Sequence, residues 1–348
     1  MREVLIDLGA LRSNVKLVKQ LAKVPVLAVV KGNAYGHGLV PCAKAAIEAG
    51  ADYLGVALLE EAIILREAGV TGPILAWLLP PGENYQKAVE LNIELGVSSL
   101  AVFDQINAIP GARIHLEVES GMGRGGFLSE WPELLNRDLS KVVGIFTHFA
   151  SANHPDSAQN QLQLDNFERF VAEINEKGIY PLRHVSNTAA LFKNEPARYD
   201  MVRVGIAIYG LPPFESDLNF QPVMKVRSKL VLVKEMPANH PIGYSALEYT
   251  KGATKIGIVG MGYADGIPRN AKLAGITFEG KAAPIIGRNS MDQFVVDLGI
   301  DSSAKSGDWV TVIGEKFDAY AWAEACQTIT YEITTGISGR ITRTYLNP

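Results

Sequence analysis

Cysteine is scarce in this chain: only Cys42 and Cys326 occur among 348 residues. They stand far apart and outside any metal-ligand spacing, so a disulfide framework is not expected, and two reduced core thiols suit a reducing compartment. Charge of one sign is equally lacking. The formal net charge is −4 and no basic run occurs, which makes nucleic acid and anionic membranes poor partners. No apolar run reaches the length needed to span a bilayer. The N-terminal MREVLIDLGALRSN carries charges and no long apolar core, unlike a signal peptide. A cytoplasmic protein is the expectation. Internal repeats and low-complexity segments are missing too.

What is present is an apolar rhythm. Hydrophobic residues make up 47% and charged residues 20%, enough for a large core, and the length exceeds one average domain. Residues 2–7 alternate like a short strand, and LGALRSNVKLVKQLAK has helical periodicity. Strand-like segments follow at 25–30, 53–57, 73–77, 93–98, 114–119, 142–149, 182–187 and 202–209. Amphipathic stretches such as LVPCAKAAIEAG and EEAIILREAG separate most of them. In SAQNQLQLDNFERFVAEINEKG, Leu164, Phe167, Val171 and Ile174 form one helical stripe, with Gly178 as a C-cap. Strands alternating with helices through short loops pair in parallel, with right-handed crossovers. Eight of them point to a closed (β/α)8 TIM-type barrel. An open doubly wound sheet is the alternative, but no GxGxxG fingerprint follows the first strand. After Pro222 the pattern changes to strand-like segments between Gly, Pro, Asn and Asp turns, with one helix expected within AYAWAEACQ before the closing YEITTGISGRITRTYL. The expected division is therefore a barrel over 1–223 and a mainly-β domain over 224–348, the strand at about 2–7 joining the latter.

The first barrel strand runs into VKGNAYGHG, residues 30–38. A lone lysine, Lys31, stands at the strand's C-terminal end, and the glycines behind it would let backbone approach a ligand. Taken alone the stretch also fits a solvated lysine after a strand. In barrels, however, functional groups collect at the C-terminal strand ends. Other such ends supply His148, Asn187 and Thr188, and Arg203 and Gly205. A lysine open to a small aldehyde suggests a Schiff base, the form in which pyridoxal phosphate is held. Thr188 with the amides of Gly205 and Ile206 could cradle the phosphate. Arg203 could face the pyridine nitrogen, and His148 could orient that arginine.

Seven motifs carry a family resemblance almost end to end: AVVKGNAYGHG at 28–38, SGMGRGGF at 120–127, THFASAN at 147–153, HVSNTAA at 184–190, RVGIAIYG at 203–210, GYADGIPR at 262–269 and GRNSMDQ at 287–293. The chain resembles the alanine racemases, pyridoxal-phosphate enzymes with a barrel and a C-terminal β domain. The resemblance implies that Lys31 is the Schiff-base lysine and one of two catalytic bases, and that Tyr244 in PIGYSALEY is the other. It implies cofactor contacts from Tyr35, Arg124, His148, Asn187, Thr188, Arg203, Gly205 and Ile206. Arg124 and the backbone amide of Met291 would meet the substrate carboxylate. Tyr263 would stand at the substrate entrance, with Asp292 and Glu117 in support. In the family, Tyr244 and Met291 come from the neighbouring subunit, so a homodimer with shared sites is implied. The implied reaction is interconversion of L- and D-alanine, supplying D-alanine for peptidoglycan. Free lysine and tyrosine titrate near pH 10, and Arg203 and Arg124 as positive neighbours would lower both.

The chain departs from the family at three places. Glu117 stands where many relatives carry a carbamylated lysine, and a direct or water-bridged pairing of Glu117 with Arg124 is expected. Gly339 stands where relatives often have a tyrosine near the phosphate, which would widen the approach and admit serine, for instance. GYSALEY around Tyr244 is less typical of the family.

Overall fold

The computed structural model describes residues 1–154, 156–214 and 217–348. The chain divides into two compact units: Ala10–Ala34 with Leu39–Gln221, and Met1–Gly9 with Tyr35–Gly38 and Pro222–Pro348. Strand β1 (Arg2–Asp7) belongs to the second of these. The eight strands of the first are β2 (Val26–Val29), β3 (Tyr53–Val56), β4 (Ile74–Ala76), β5 (Ile93–Val97), β6 (Ile114–Glu117), β7 (Val142–Phe146), β8 (Leu182–His184) and β9 (Val202–Val204). All pair in parallel, in the order β8-β7-β6-β5-β4-β3-β2-β9. Between the end strands, Asp200 N donates to Arg183 O at 3.1 Å and Arg203 N to Ser186 O at 2.8 Å, so the sheet is a nearly closed barrel. An open doubly wound sheet is thereby ruled out.

The strands are short, and most of their residues are buried. β2, for example, is buried throughout, as parallel strands covered by helices are. Each fully buried Leu, Ile or Val contributes roughly 1.5–3 kcal/mol relative to exposure. The helices turn one stripe inward. In Ala158–Asn175 the expected Leu164, Phe167, Val171 and Ile174 are all buried, and Gly178 adopts φ 77° just beyond the end.

The second unit is mainly β. Its long strand β10 (Met224–Met236) pairs antiparallel with β1, which also pairs in parallel with the last strand. The others are β11 (Pro241–Ile242), β12 (Glu248–Tyr249), β13 (Thr254–Val259), β14 (Gly275–Phe278), β15 (Lys281–Pro284), β16 (Phe294–Asp297), β17 (Trp309–Ile313) and β18 (Arg343–Leu346). The helix expected within AYAWAEACQ runs over Ala319–Cys326.

A second helix, Thr330–Thr335, corrects the expectation of a single helix in this part of the chain. Its β-branched residues favour strands in isolation. Here Thr330, Ile333 and Thr334 bury one face at helical spacing. The threonine hydroxyls are satisfied within the helix, Thr335 Oγ1 donating to Tyr331 O at 2.6 Å. Tertiary burial overrides local propensity in this segment.

Candidate active site

Lys31 follows β2 directly. The backbone then turns left-handed, with φ of 62° at Gly32, 55° at Asn33, 54° at Ala34 and 52° at Tyr35. Only glycine visits this region freely, and other residues are strained by about 1–2 kcal/mol each. Glu61 helps to hold the turn by accepting from the amides of Gly32 at 2.7 Å and Asn33 at 3.3 Å. Asn33 Oδ1 accepts from Leu39 N at 2.8 Å. The Lys31 ammonium stands 5.7 Å from the centroid of the Trp77 ring. Burial, then Arg124 and Arg203, lower its pKa below the usual lysine value, with Glu61 opposing.

Arg203 is buried at the C-terminal mouth of the same barrel. Its Nη2 donates to Thr147 O at 2.7 Å and to His148 Nδ1 at 3.3 Å. Its Nη1 donates to His184 Nδ1 at 3.2 Å and also to His184 O. Burial pulls the guanidinium down to about 10, and Glu117 works against that shift, so it remains a cation at neutral pH. Burial, Arg203, Arg124 and Lys31 drive His148 down to about 3. His148 is therefore neutral and accepts from Arg203. Thr188 is buried, and its hydroxyl accepts from Gly205 N at 3.2 Å. The side chain of Asn187 accepts from Ala190 N at 3.0 Å, which shapes the turn carrying Thr188. Ile206 is fully buried beside Gly205.

The SGMGR loop is folded around a residue that sequence reasoning missed. Glu119 accepts from four successive amides: Gly121 at 2.5 Å, Met122 at 2.6 Å, Gly123 at 2.8 Å and Arg124 at 3.1 Å. Burial raises its pKa, but the four amide donors outweigh burial and hold it below the ordinary carboxylate range. Glu117 lies at the end of β6, half-buried, and burial raises its pKa while Arg203 and Arg124 oppose that. The expected direct pairing of Glu117 with Arg124 is not formed: no ion pair within 4.0 Å joins them among the described residues. The glutamate is shorter than the lysine carbamate it was expected to replace.

In the second unit, Tyr35 packs on Tyr331 with ring centroids 5.9 Å apart. Burial and Tyr331 push its phenol well up, which keeps it a neutral donor. The glycines behind it serve packing rather than ligand approach. A Cβ on Gly36 would fall 2.1 Å from Thr334 O, and one on Gly38 would fall 2.0 Å from the Tyr345 hydroxyl. The GYADG and GRNSMDQ motifs meet here, Tyr263 N donating to Ser290 O at 3.1 Å and Ala264 N to Met291 O at 2.9 Å. Arg340 bridges the buried Asp265 and Asp292, each at 2.6 Å. Tyr244 is 65% exposed and Met291 54% exposed. A Cβ on Gly339 would meet nothing within 4 Å.

Fold and site define a (β/α)8 barrel with a lysine of lowered pKa at its C-terminal mouth. Residues 6–213 match the model of the alanine racemase N-terminal domain, and 223–345 that of the alanine racemase C-terminal domain. The alanine racemase of Salinispora tropica is 40% identical over 99% of this chain and 98% of its own. The crystal structure of alanine racemase from D-cycloserine producing Streptomyces lavendulae superposes with a TM-score of 0.96 at 40% identity, covering 100% of this chain and 97% of that one. Alanine racemase from Bartonella henselae, solved with covalently bound pyridoxal phosphate, gives 0.90 at 27% identity, covering 99% of each chain. The chain belongs to the alanine racemase family.

Proposed function

We propose that the chain interconverts L- and D-alanine with pyridoxal 5'-phosphate, using Lys31 and Tyr244 as bases on opposite faces of the substrate Cα. The observation that carries this reading is the Lys31 amine, held at the barrel mouth with its basicity lowered by burial and two arginines. The residues of that mouth fit the cofactor. Lys31 would hold it covalently, and the Thr188 hydroxyl with the amides of Gly205 and Ile206 would take the phosphate, to which the resemblance adds the phenol of Tyr35. Arg203 would face the ring nitrogen, braced by His148, and Asn187 would shape the Thr188 turn. When bound, the cofactor supplies an electron-withdrawing ring that acidifies the Cα proton of an attached amino acid.

The protein's own groups do the rest. Arg203 has donors only, so it cannot accept a proton and leaves the ring nitrogen unprotonated. Arg124 and the Met291 amide would fix the substrate carboxylate. An amine of lowered pKa takes a proton near neutral pH better than an ordinary lysine, and Lys31 serves one face. Tyr244 serves the other from a partner subunit. The exposure of Tyr244, Leu247, Tyr249 and Met291 supports a homodimer that covers them. Tyr263 and Asp292 would line the substrate's approach. The resemblance supports a cytoplasmic enzyme whose product would serve peptidoglycan synthesis. The decisive experiment follows visible absorption of the lysine-bound cofactor and loss of optical rotation with L-alanine. Both are expected in the unmutated protein and neither in Lys31→Ala; an unchanged band in that variant contradicts the reading.

One observation favours a broader substrate range. Gly339 is exposed and a Cβ there would meet nothing within 4 Å, so no side chain narrows the approach where the resemblance would place a tyrosine. Gly339→Tyr is expected to lower kcat/KM for serine more than for alanine, and an unchanged ratio of the two would contradict a role of Gly339 in substrate range.

A further inference from the structure

A line of polar side chains crosses the barrel interior, where branched apolar residues ordinarily fill the layers. Glu94 on β5 is 5% exposed, His115 on β6 1%, and His184 on β8 0%. His115 Nε2 lies 2.8 Å from Glu94 Oε2, and His115 Nδ1 lies 2.9 Å from His184 Nε2. His184 Nδ1 lies 3.2 Å from Arg203 Nη1. At the other end, Arg113 precedes β6 and donates its Nε to Glu94 Oε1 at 2.7 Å, with its side chain 54% exposed. The line therefore runs from the N-terminal face of the barrel to the C-terminal mouth.

Donor counting orients every bond in it. A guanidinium only donates, so His184 Nδ1 accepts, and a neutral His184 carries its proton on Nε2. That proton is donated to His115 Nδ1, which places the His115 proton on Nε2, facing the Glu94 carboxylate. All the bonds point one way, from the Arg203 cation to the Glu94 anion.

We propose that Glu94, His115 and His184 form a one-way relay that fixes the orientation and charge of Arg203, and that they are positioning residues for the racemisation site. The assignment rests on the reading of Arg203 as a cofactor contact. Two further features support it. A Cβ on Gly144 of β7 would stand 2.0 Å from His115 Nδ1, so the barrel reserves space for this ring. Phe146 stacks on His184 at 4.9 Å and 15°, and the Arg203 guanidinium lies 5.4 Å from the same phenyl centroid. Apolar residues of similar volume commonly match or exceed a buried ionic network in stability, so stability alone does not account for this one. Desolvation, and after it the charge of Arg203, also holds His184 well below its ordinary pKa, which matches the neutral form that the donor count requires.

The first test reads the relay in the unmutated protein, with variants used only to assign signals. Nitrogen NMR of isotope-labelled histidine in the cofactor-free protein, assigned by single His→Gln variants, reads the six histidines. His115 and His184 are expected neutral with the proton on Nε2 at pH 7; a charged ring, or a proton on Nδ1 of either, overturns the relay. In the second test, Glu94→Gln in the cofactor-loaded enzyme should lower kcat for alanine by about 10- to 100-fold, as loss of an outer hydrogen-bond partner does at other sites. KM should stay within about twofold, the His184 nitrogen signals should move, and Glu94→Asp should restore part of the rate. Unchanged kcat, or unchanged His184 signals, would make Glu94 merely structural and refute the proposal. If the unmutated protein neither racemises alanine nor shows the visible band, the functional reading fails by itself, because the NMR result does not depend on it.

Discussion

The Lys31 ammonium faces the Trp77 ring at 5.7 Å, and that ring is seated against glycines on the two strands that flank β4. A Cβ on Gly55 would stand 2.7 Å from Trp77 Cζ3 and 2.3 Å from Leu27 Cδ2. One on Gly96 would stand 2.8 Å from Trp77 Cβ. The lysine thus has an aromatic floor that the barrel wall has been cleared to admit.

Gly55→Ala should destabilise the protein by about 1–3 kcal/mol, the usual cost of overpacking, and should shift the tryptophan fluorescence as Trp77 is displaced. Urea denaturation checks the first expectation. A change below about 0.5 kcal/mol would mean that Trp77 has other room.

The second prediction concerns the Lys31 amine. Burial, Arg124 and Arg203 disfavour its charged form, so its proton leaves at a lower pH than that of an ordinary lysine. In the cofactor-free protein, acylation of Lys31 followed by peptide mapping should reach half its maximal rate below pH 10.5. Arg124→Ala removes one positive neighbour and should raise that midpoint. A midpoint at the ordinary value in the unmutated protein, or a downward move in the variant, contradicts the assignment.

Glu119 is the third. Four amides favour its ionised form and lower its folded pKa. Its contribution to loop order is therefore complete above the unfolded value, about 4.3, and is lost as pH falls through the lower folded value. Hydrogen exchange of the amides at 121–124, corrected for its intrinsic pH dependence, should stay slow at neutral pH and accelerate only in acid. Glu119→Gln should accelerate it by about tenfold at neutral pH, a loss of roughly 1.4 kcal/mol. In the same variant KM for alanine should rise more than kcat falls, since Arg124 rides on this loop.

Much of this molecule is legible in its sequence. Each strand of the barrel lies within an apolar segment, because short parallel strands buried on both faces leave no other pattern. Lys31, His148, Thr188 and Arg203 stand near strand ends that the fold gathers at one mouth. The left-handed turn after Lys31 was not legible, since Ala34 and Tyr35 carry no signal for that conformation and Glu61, which supports it, lies on another element. Glu94, His115 and His184 escaped for a related reason. A histidine inside a strand is usually a satisfied core residue, and only register across β5, β6 and β8 shows that these groups touch. TYEITT misled because the burial that makes it helical is tertiary.

The central claim is that two bases, Lys31 and Tyr244, serve opposite faces of Cα. Its most direct test is solvent deuterium incorporation at Cα by the Tyr244→Phe protein, measured separately from L-alanine and from D-alanine with Lys31 intact. The account predicts that one enantiomer still exchanges through Lys31 while exchange from the other is lost. Equal loss from both enantiomers, or loss from neither, would contradict it.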